Sequence, residues 1–193
     1  GGGKELMAQQ GAFDKLDAAM MVHPAGIDLI TMPCICVSEV IVTYKGKSAH
    51  ASAIPHAGLN ALDALVTAYQ AIAQLRQHIK NTERIHGIIT KGGNAPNIVP
   101  DETEGFFYVR AANAVELAAL KLRVQACFEA GALATGCQAD IKWAKVNFLD
   151  LKTSMPLARS YEANMLSLGR NFFPLEKLPS SSAGSTDMGN VSH

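Results

Sequence analysis

Residues 40–45 read Val40-Ile41-Val42-Thr43-Tyr44-Lys45, and they decide the fold. Val40, Val42 and Tyr44 alternate with Ile41, Thr43 and Lys45, the period-two pattern of a strand with one buried face. After a loop of small residues the period changes. From Leu59 to about Ile79, Leu62, Leu65, Val66, Tyr69, Ile72 and Ala73 recur at three- and four-residue steps, which predicts a helix with one apolar face.

Working outward, the same two periods return. Ile85, Gly87 and Ile89 alternate with His86, Ile88 and Thr90, and Phe106 and Tyr108 share a face with Arg110. Asn113 then caps a second helix, with Glu116 three residues on as in a capping box and Leu117, Leu120, Val124, Cys127 and Phe128 as its stripe. Thr135-Gly136 stops that helix, and Ala139–Trp143 reads as a fourth strand. The order β-α-β-β-α-β is the ferredoxin-like plan of the α/β (α+β) class, a four-stranded antiparallel sheet with both helices on one face. It occupies about residues 38–150.

The flanks, 1–37 and 151–193, do not belong to this unit. Lys4–Phe13 reads as a short helix closed by Gly11, and Ala18-Ala19-Met20-Met21-Val22 as a continuous apolar strand of the kind buried in a parallel sheet, ending at His23-Pro24. Pro156–Arg170 reads as another helix leading to a Ser/Gly-rich loop, Ser180–Asn190. A complete small domain is thus expected between two pieces of an incomplete α/β domain. The opening Gly1-Gly2-Gly3-Lys4 and the closing Asn190–His193 read as cut from something larger.

Composition narrows the function. The 193 residues carry 17 Lys+Arg against 17 Asp+Glu and are 48% hydrophobic, so there is ample material for a core and no net field to hold a polyanion. Glu104–Val109 sits where RNA-recognition domains stack bases. Glu104, however, replaces the expected cation, and the first strand offers Val40-Ile41-Val42-Thr43 in place of a stacking aromatic, so nucleic acid is not the expected partner. No run reaches the ~18–20 apolar residues of a membrane helix. The four cysteines make no CxxC half-sites and read as reduced thiols of a cytoplasmic chain. Gly184–Gly189 lacks the spacing of a serine nucleophile elbow.

Four places remain that can carry chemistry, each with a bland alternative. His23 stands at a strand end, where open α/β sheets bind ligands, although such a His is also an ordinary half-buried residue. His50 lies in the uncrowded loop Gly46–Ser52 and is either functional or one more exposed His. Lys91–Pro100 is long for a hairpin connection, which marks either a functional loop or a plain excursion. Arg110 can grip a carboxylate bidentately, or simply cap its strand in solvent.

Together, Gly1–Lys4, Met20–Pro24, Val42–Ala51, Gly58–Ala64, Asn97–Asp101 and Gly184–Asp187 resemble the zinc amidohydrolases of metallopeptidase family 20, and most closely its β-alanyl-lysine dipeptidase branch. The resemblance implies a ferredoxin-like lid that also forms a homodimer, inserted in a zinc-peptidase catalytic domain acting on a dipeptide or N-acyl amino acid. By position, it implies that His23 is a zinc ligand and that His50 reaches across the dimer to stabilise an oxyanion. It further implies that Asn97 and Arg110 bind substrate, Arg110 through its carboxylate, and that Ser185 and Thr186 line the pocket. Two zinc ions are expected in the complete enzyme. The family's upstream metal motif, its Glu-Glu pair and its late His find no match here, so the expectation is an inactive internal fragment of an active amidohydrolase. The rival reading is a non-enzymatic ferredoxin-like module for dimerisation or small-molecule binding.

Overall fold

The computed structural model describes residues 2–178 and 184–193. The chain divides into two compact units, residues 37–145 and residues 1–36 with 146–193.

In the first unit, β1 (Cys36–Lys45), β2 (Arg84–Lys91), β3 (Glu102–Ala111) and β4 (Gln138–Trp143) form one antiparallel sheet in the order β2-β3-β1-β4. Helices α2 (Ala61–Leu75) and α3 (Ala114–Thr135) follow β1 and β3. This is the ferredoxin-like order that the periodicity predicts. Helix α2 starts at Ala61 rather than at the expected Leu59 because Asn60 Oδ1 accepts the Leu62 and Asp63 N–H groups, and a 3-10 turn at Arg76–His78 closes it. Asn113 caps α3 through the Glu116 N–H at 3.0 Å, and Gly136, at φ +71°, ends it.

One face of the sheet is the core. Val40, Val42 and Tyr44 of β1 and Phe107 and Val109 of β3 are buried with Leu65 and Ile72 of α2 and Leu120, Val124 and Phe128 of α3. Gly131 lets α3 approach α2 closely, since a Cβ there would run into the Ala64 carbonyl. The opposite face carries His86 and Ile88 of β2 beside Phe106, Tyr108 and Arg110 of β3, because residues paired across an antiparallel ladder share a side.

In the second unit, α1 spans Gly3–Gln9 and ends in a Schellman turn. Ala12 N–H bonds Met7 O, Gly11 N–H bonds Ala8 O, and Gly11 sits at φ +73°. Helix α4 spans Met155–Ser167, a short helix α5 spans Met188–Val191, and a parallel β-bridge joins Cys34 to Gly184. The expected strand at Ala18–Val22 is corrected. The segment is not a strand, and Met20 and Val22 are 62% and 80% exposed. A parallel strand exists only with neighbours to bond, and among the described residues no strand pairs with this segment. Of the Ser-rich stretch read as a loop, residues 180–183 lie outside the described residues.

Candidate functional site

At the end of β1 the chain enters two loops that are hydrogen-bonded together. Gly46 N–H bonds Asp101 O at 2.8 Å, and Lys47 and Leu59 exchange both backbone hydrogen bonds at 2.9 Å. Gly46 and Gly58 are required by this closeness: a Cβ on Gly46 would strike the Leu59 carbonyl, and one on Gly58 would lie 3.0 Å from the Ala49 side chain. Ala51 N–H then bonds Asn97 O and Val99 N–H bonds Ala49 O, both at 2.9 Å, placing His50 opposite Ile98. The long connection between β2 and β3 is therefore a partner for the His50 loop. The structure brings His50 and Asn97 side by side, both exposed.

The hydrogen bonds determine which nitrogen of His50 carries the proton. Ala53 N–H, which can only donate, points at Nδ1 from 3.2 Å, and the Ser52 hydroxyl lies 3.3 Å from the same atom. Nδ1 is thus the acceptor, and neutral His50 keeps its proton on Nε2. It presents an N–H donor from a loop tip, the form an oxyanion needs.

Arg110 stands elsewhere. Strand β3 leaves the paired loops at Asp101 and rises about 3.3 Å per residue, so Arg110 lies on the order of 30 Å from them, at the far end of the sheet. There its Nε–H donates to His86 Nε2 at 3.1 Å, and its guanidinium stands 5.8 Å from the Tyr108 ring centre. One protomer therefore does not bring Arg110 together with His50 and Asn97.

The second unit holds the remaining predicted residues. His23 is exposed, and its Nδ1 meets the Pro24 carbonyl at 3.0 Å. A carbonyl only accepts, so Nδ1 carries the proton and Nε2 the lone pair, as in a metal ligand. A metal centre needs more than one such group. Among the described residues no group of three or more His, Cys, Asp and Glu is placed to hold an ion. Burial pushes the Cys36 thiol up to about 12, with the Asp150 side chain adding to the rise, so Cys36 is a neutral thiol at neutral pH. The described residues do not fit a zinc pair.

Ser185 and Thr186 are engaged in building their loop. The Ser185 hydroxyl donates to Ile35 O at 2.8 Å, and the Thr186 hydroxyl accepts the Met188 N–H at 3.3 Å. Asp187, quoted in the motif but given no role by sequence reasoning, bonds both nitrogens of Lys4. His86 was missed as well. Its only signal was its place in the β2 alternation, which becomes informative once the register sets it diagonal to Arg110.

Among the described residues no helix is long and apolar enough to cross a membrane. Residues 37–136 match the family described as "Peptidase dimerisation domain". The chain is 41% identical over 192 residues to the "Xaa-Arg dipeptidase" of Mus musculus, covering 100% of this chain and 44% of that protein. It is 32% identical over 147 residues to one of the "p-aminobenzoyl-glutamate hydrolase" proteins of Escherichia coli K12, covering 75% of this chain and 31% of that one. The chain spans less than half the length of these relatives. Among solved structures, an aminobenzoyl-glutamate utilization protein from Klebsiella pneumoniae shares the fold, with TM-score 0.69 and 18% identity over 95% of this chain and 48% of that one. This chain belongs to metallopeptidase family 20, and residues 37–136 are its peptidase dimerisation domain.

Proposed function

We propose that the chain is the dimerisation lid, with flanking parts of the catalytic domain, of a zinc-dependent amidohydrolase that cleaves a small dipeptide or N-acyl amino acid. Residues 38–150 are the lid, and 1–37 and 151–193 belong to the catalytic domain. The zinc pair belongs to the complete enzyme, to which His23 brings one ligand. The free cysteines support a cytoplasmic location.

The observation that carries the reading is the separation of His50 and Asn97 from Arg110 along β3. No dipeptide spans ~30 Å, since each extended residue reaches at most ~3.6 Å. A homodimer resolves this, because a two-fold axis can set one protomer's Arg110 beside its partner's His50 loop. In such a composite site Arg110 holds the substrate carboxylate, Asn97 hydrogen-bonds the scissile region, and His50 Nε2–H donates to the oxygen that becomes negative as the amide carbonyl is attacked.

Mixing two inactive variants of the complete enzyme tests this. His50→Ala and Arg110→Ala homodimers each have two broken sites, whereas a heterodimer of the two has one intact site and one doubly broken. Re-association of equal amounts is expected to restore about a quarter of wild-type activity. No recovery despite demonstrated exchange of protomers overturns the composite site.

A further inference from the structure

The β2–β3 ladder sets two arginines opposite each other, and the structure treats them differently. Arg84 pairs directly with Arg110 in the β2–β3 register, an arrangement that repels. Arg84 Nη1 is drawn aside onto the carbonyls of Asn81 and Glu83, both at 2.6 Å. Arg110 stays on the open face of the sheet, where His86 and Tyr108 contact it. Tyr108 lies directly opposite His86, with their rings edge to face at 5.5 Å, and its own ring lies beneath the Arg110 guanidinium. His86 Nε2 takes the Arg110 Nε–H.

The chemistry of this last bond leaves one protonation state. Arginine stays charged and can only donate, so His86 Nε2 must hold a lone pair and its proton must sit on Nδ1. A protonated His86 loses the acceptor and becomes a second cation against the first. The charges acting on His86 are Arg110 on β3 and Arg76 from the turn after α2, with Arg84 two residues back on its own strand and the Tyr108 phenol across from it. Burial and the two arginines, Arg110 and Arg76, hold its imidazolium below the ordinary range, so the contact is whole at neutral pH and is lost as the solution turns acid.

We propose that His86 is the positioning residue of the substrate-carboxylate clamp. By taking Nε–H it fixes the rotation of the Arg110 guanidinium, and Tyr108 supports the plane, so that the guanidinium meets a carboxylate without first being ordered. The proposal rests on the reading of Arg110 as the carboxylate binder, and extends it to a pH-dependent KM set by a residue that does not touch substrate.

Two measurements test it. In the chain itself, long-range proton–nitrogen NMR is expected to show His86 as the Nδ1–H tautomer at neutral pH, with a titration midpoint that moves up in Arg110→Met. An Nε2–H tautomer, or a midpoint indifferent to Arg110, overturns the proposal. In the complete enzyme, His86→Phe is expected to raise KM for a carboxylate-bearing dipeptide about tenfold with kcat little changed and the acid limb of the KM profile gone, and His86→Gln, whose amide oxygen accepts Nε–H, to recover most of the loss. If Arg110→Met leaves KM unchanged, the carboxylate reading itself fails. If Arg110→Met raises KM and His86→Phe does not, only the positioning role fails.

Discussion

Asp187 caps the amino terminus of α1 from 183 residues away: its Oδ2 accepts the Lys4 backbone N–H at 3.1 Å, and its Oδ1 pairs with Lys4 Nζ at 2.6 Å. Asn190 adds a second tie, its amide reaching Glu5 at 2.6 Å. The first and last segments of the chain are thus held as one body, and Asp187 also anchors the loop that carries Ser185 and Thr186.

Removing that cap has a cost with a pH signature. Burial raises the Asp187 carboxyl, but the hydrogen bonds from Lys4 and its charge outweigh burial and hold it below the ordinary carboxylate range. A depressed carboxylate stabilises the fold above its unfolded-state pKa, and that contribution disappears as pH falls through the lowered folded value. Asp187→Ala is expected to destabilise the unit by about 1–2 kcal/mol in urea unfolding. Asp187→Asn keeps a capping oxygen, so it is expected to lose less and to remove the acid dependence.

Gly131→Ala is expected to destabilise, against the usual helix preference for alanine. The added methyl meets the Ala64 carbonyl and lies 3.0 Å from the Ala68 Cβ, so α3 must back away from α2. Overpacking of this kind costs about 1–3 kcal/mol, measured as a lower denaturant midpoint. A rise in the midpoint would show that the helices are not in such close contact.

Tyr44 is wholly buried, and its hydroxyl donates to the Phe128 carbonyl at 2.8 Å, joining β1 to α3. Tyr44→Phe keeps the ring and loses that bond, for an expected loss of about 1 kcal/mol at neutral pH. Thermal unfolding of the two proteins side by side gives the number.

Thiol labelling checks the packing of the cysteines. Cys34, Cys36 and Cys137 are buried and Cys127 is half-buried. Mass spectrometry of the native chain after brief alkylation near pH 8 is expected to find Cys127 modified first and Cys36 last, since the Cys36 thiol is shielded and ionises near 12. Early modification of Cys36 would contradict its contact with Asp150.

His50 is exposed and its side-chain hydrogen bonds to Ser52 and Ala53 lie within its own loop, so His50→Ala is expected to leave the melting temperature of the chain nearly unchanged. In the complete enzyme the same change is expected to lower kcat by about 10²–10³, the usual cost of one oxyanion donor. Full turnover in that variant would remove the role given to the Nε2–H.

The order of elements was legible in the sequence because its determinants are local. Alternation in Val40–Lys45, three- and four-residue steps in α2 and α3, the cap at Asn113 and a left-handed Gly136 each act within a few residues of where they are written, whereas the Asn60 cap, inside the stretch read as helix from Leu59, came only from the structure. The Ala18–Val22 reading failed for the complementary reason, since a strand needs a neighbour and a run of apolar residues cannot say whether one is present.

Of the site, the sequence determined the residue types. A tip imidazole at His50, an Asn in a long loop and an Arg ending an aromatic strand face are visible without coordinates. Only the tertiary structure decided who meets whom. The antiparallel pairing of His50 with Ile98, 48 residues apart in number, set His50 beside Asn97, while the β2–β3 ladder sent Arg110 to the other end of β3 and placed His86 within reach of its Nε–H. Register is a property of two strands together, and proton placement on an imidazole is a property of its partners, so neither is contained in any one stretch of sequence.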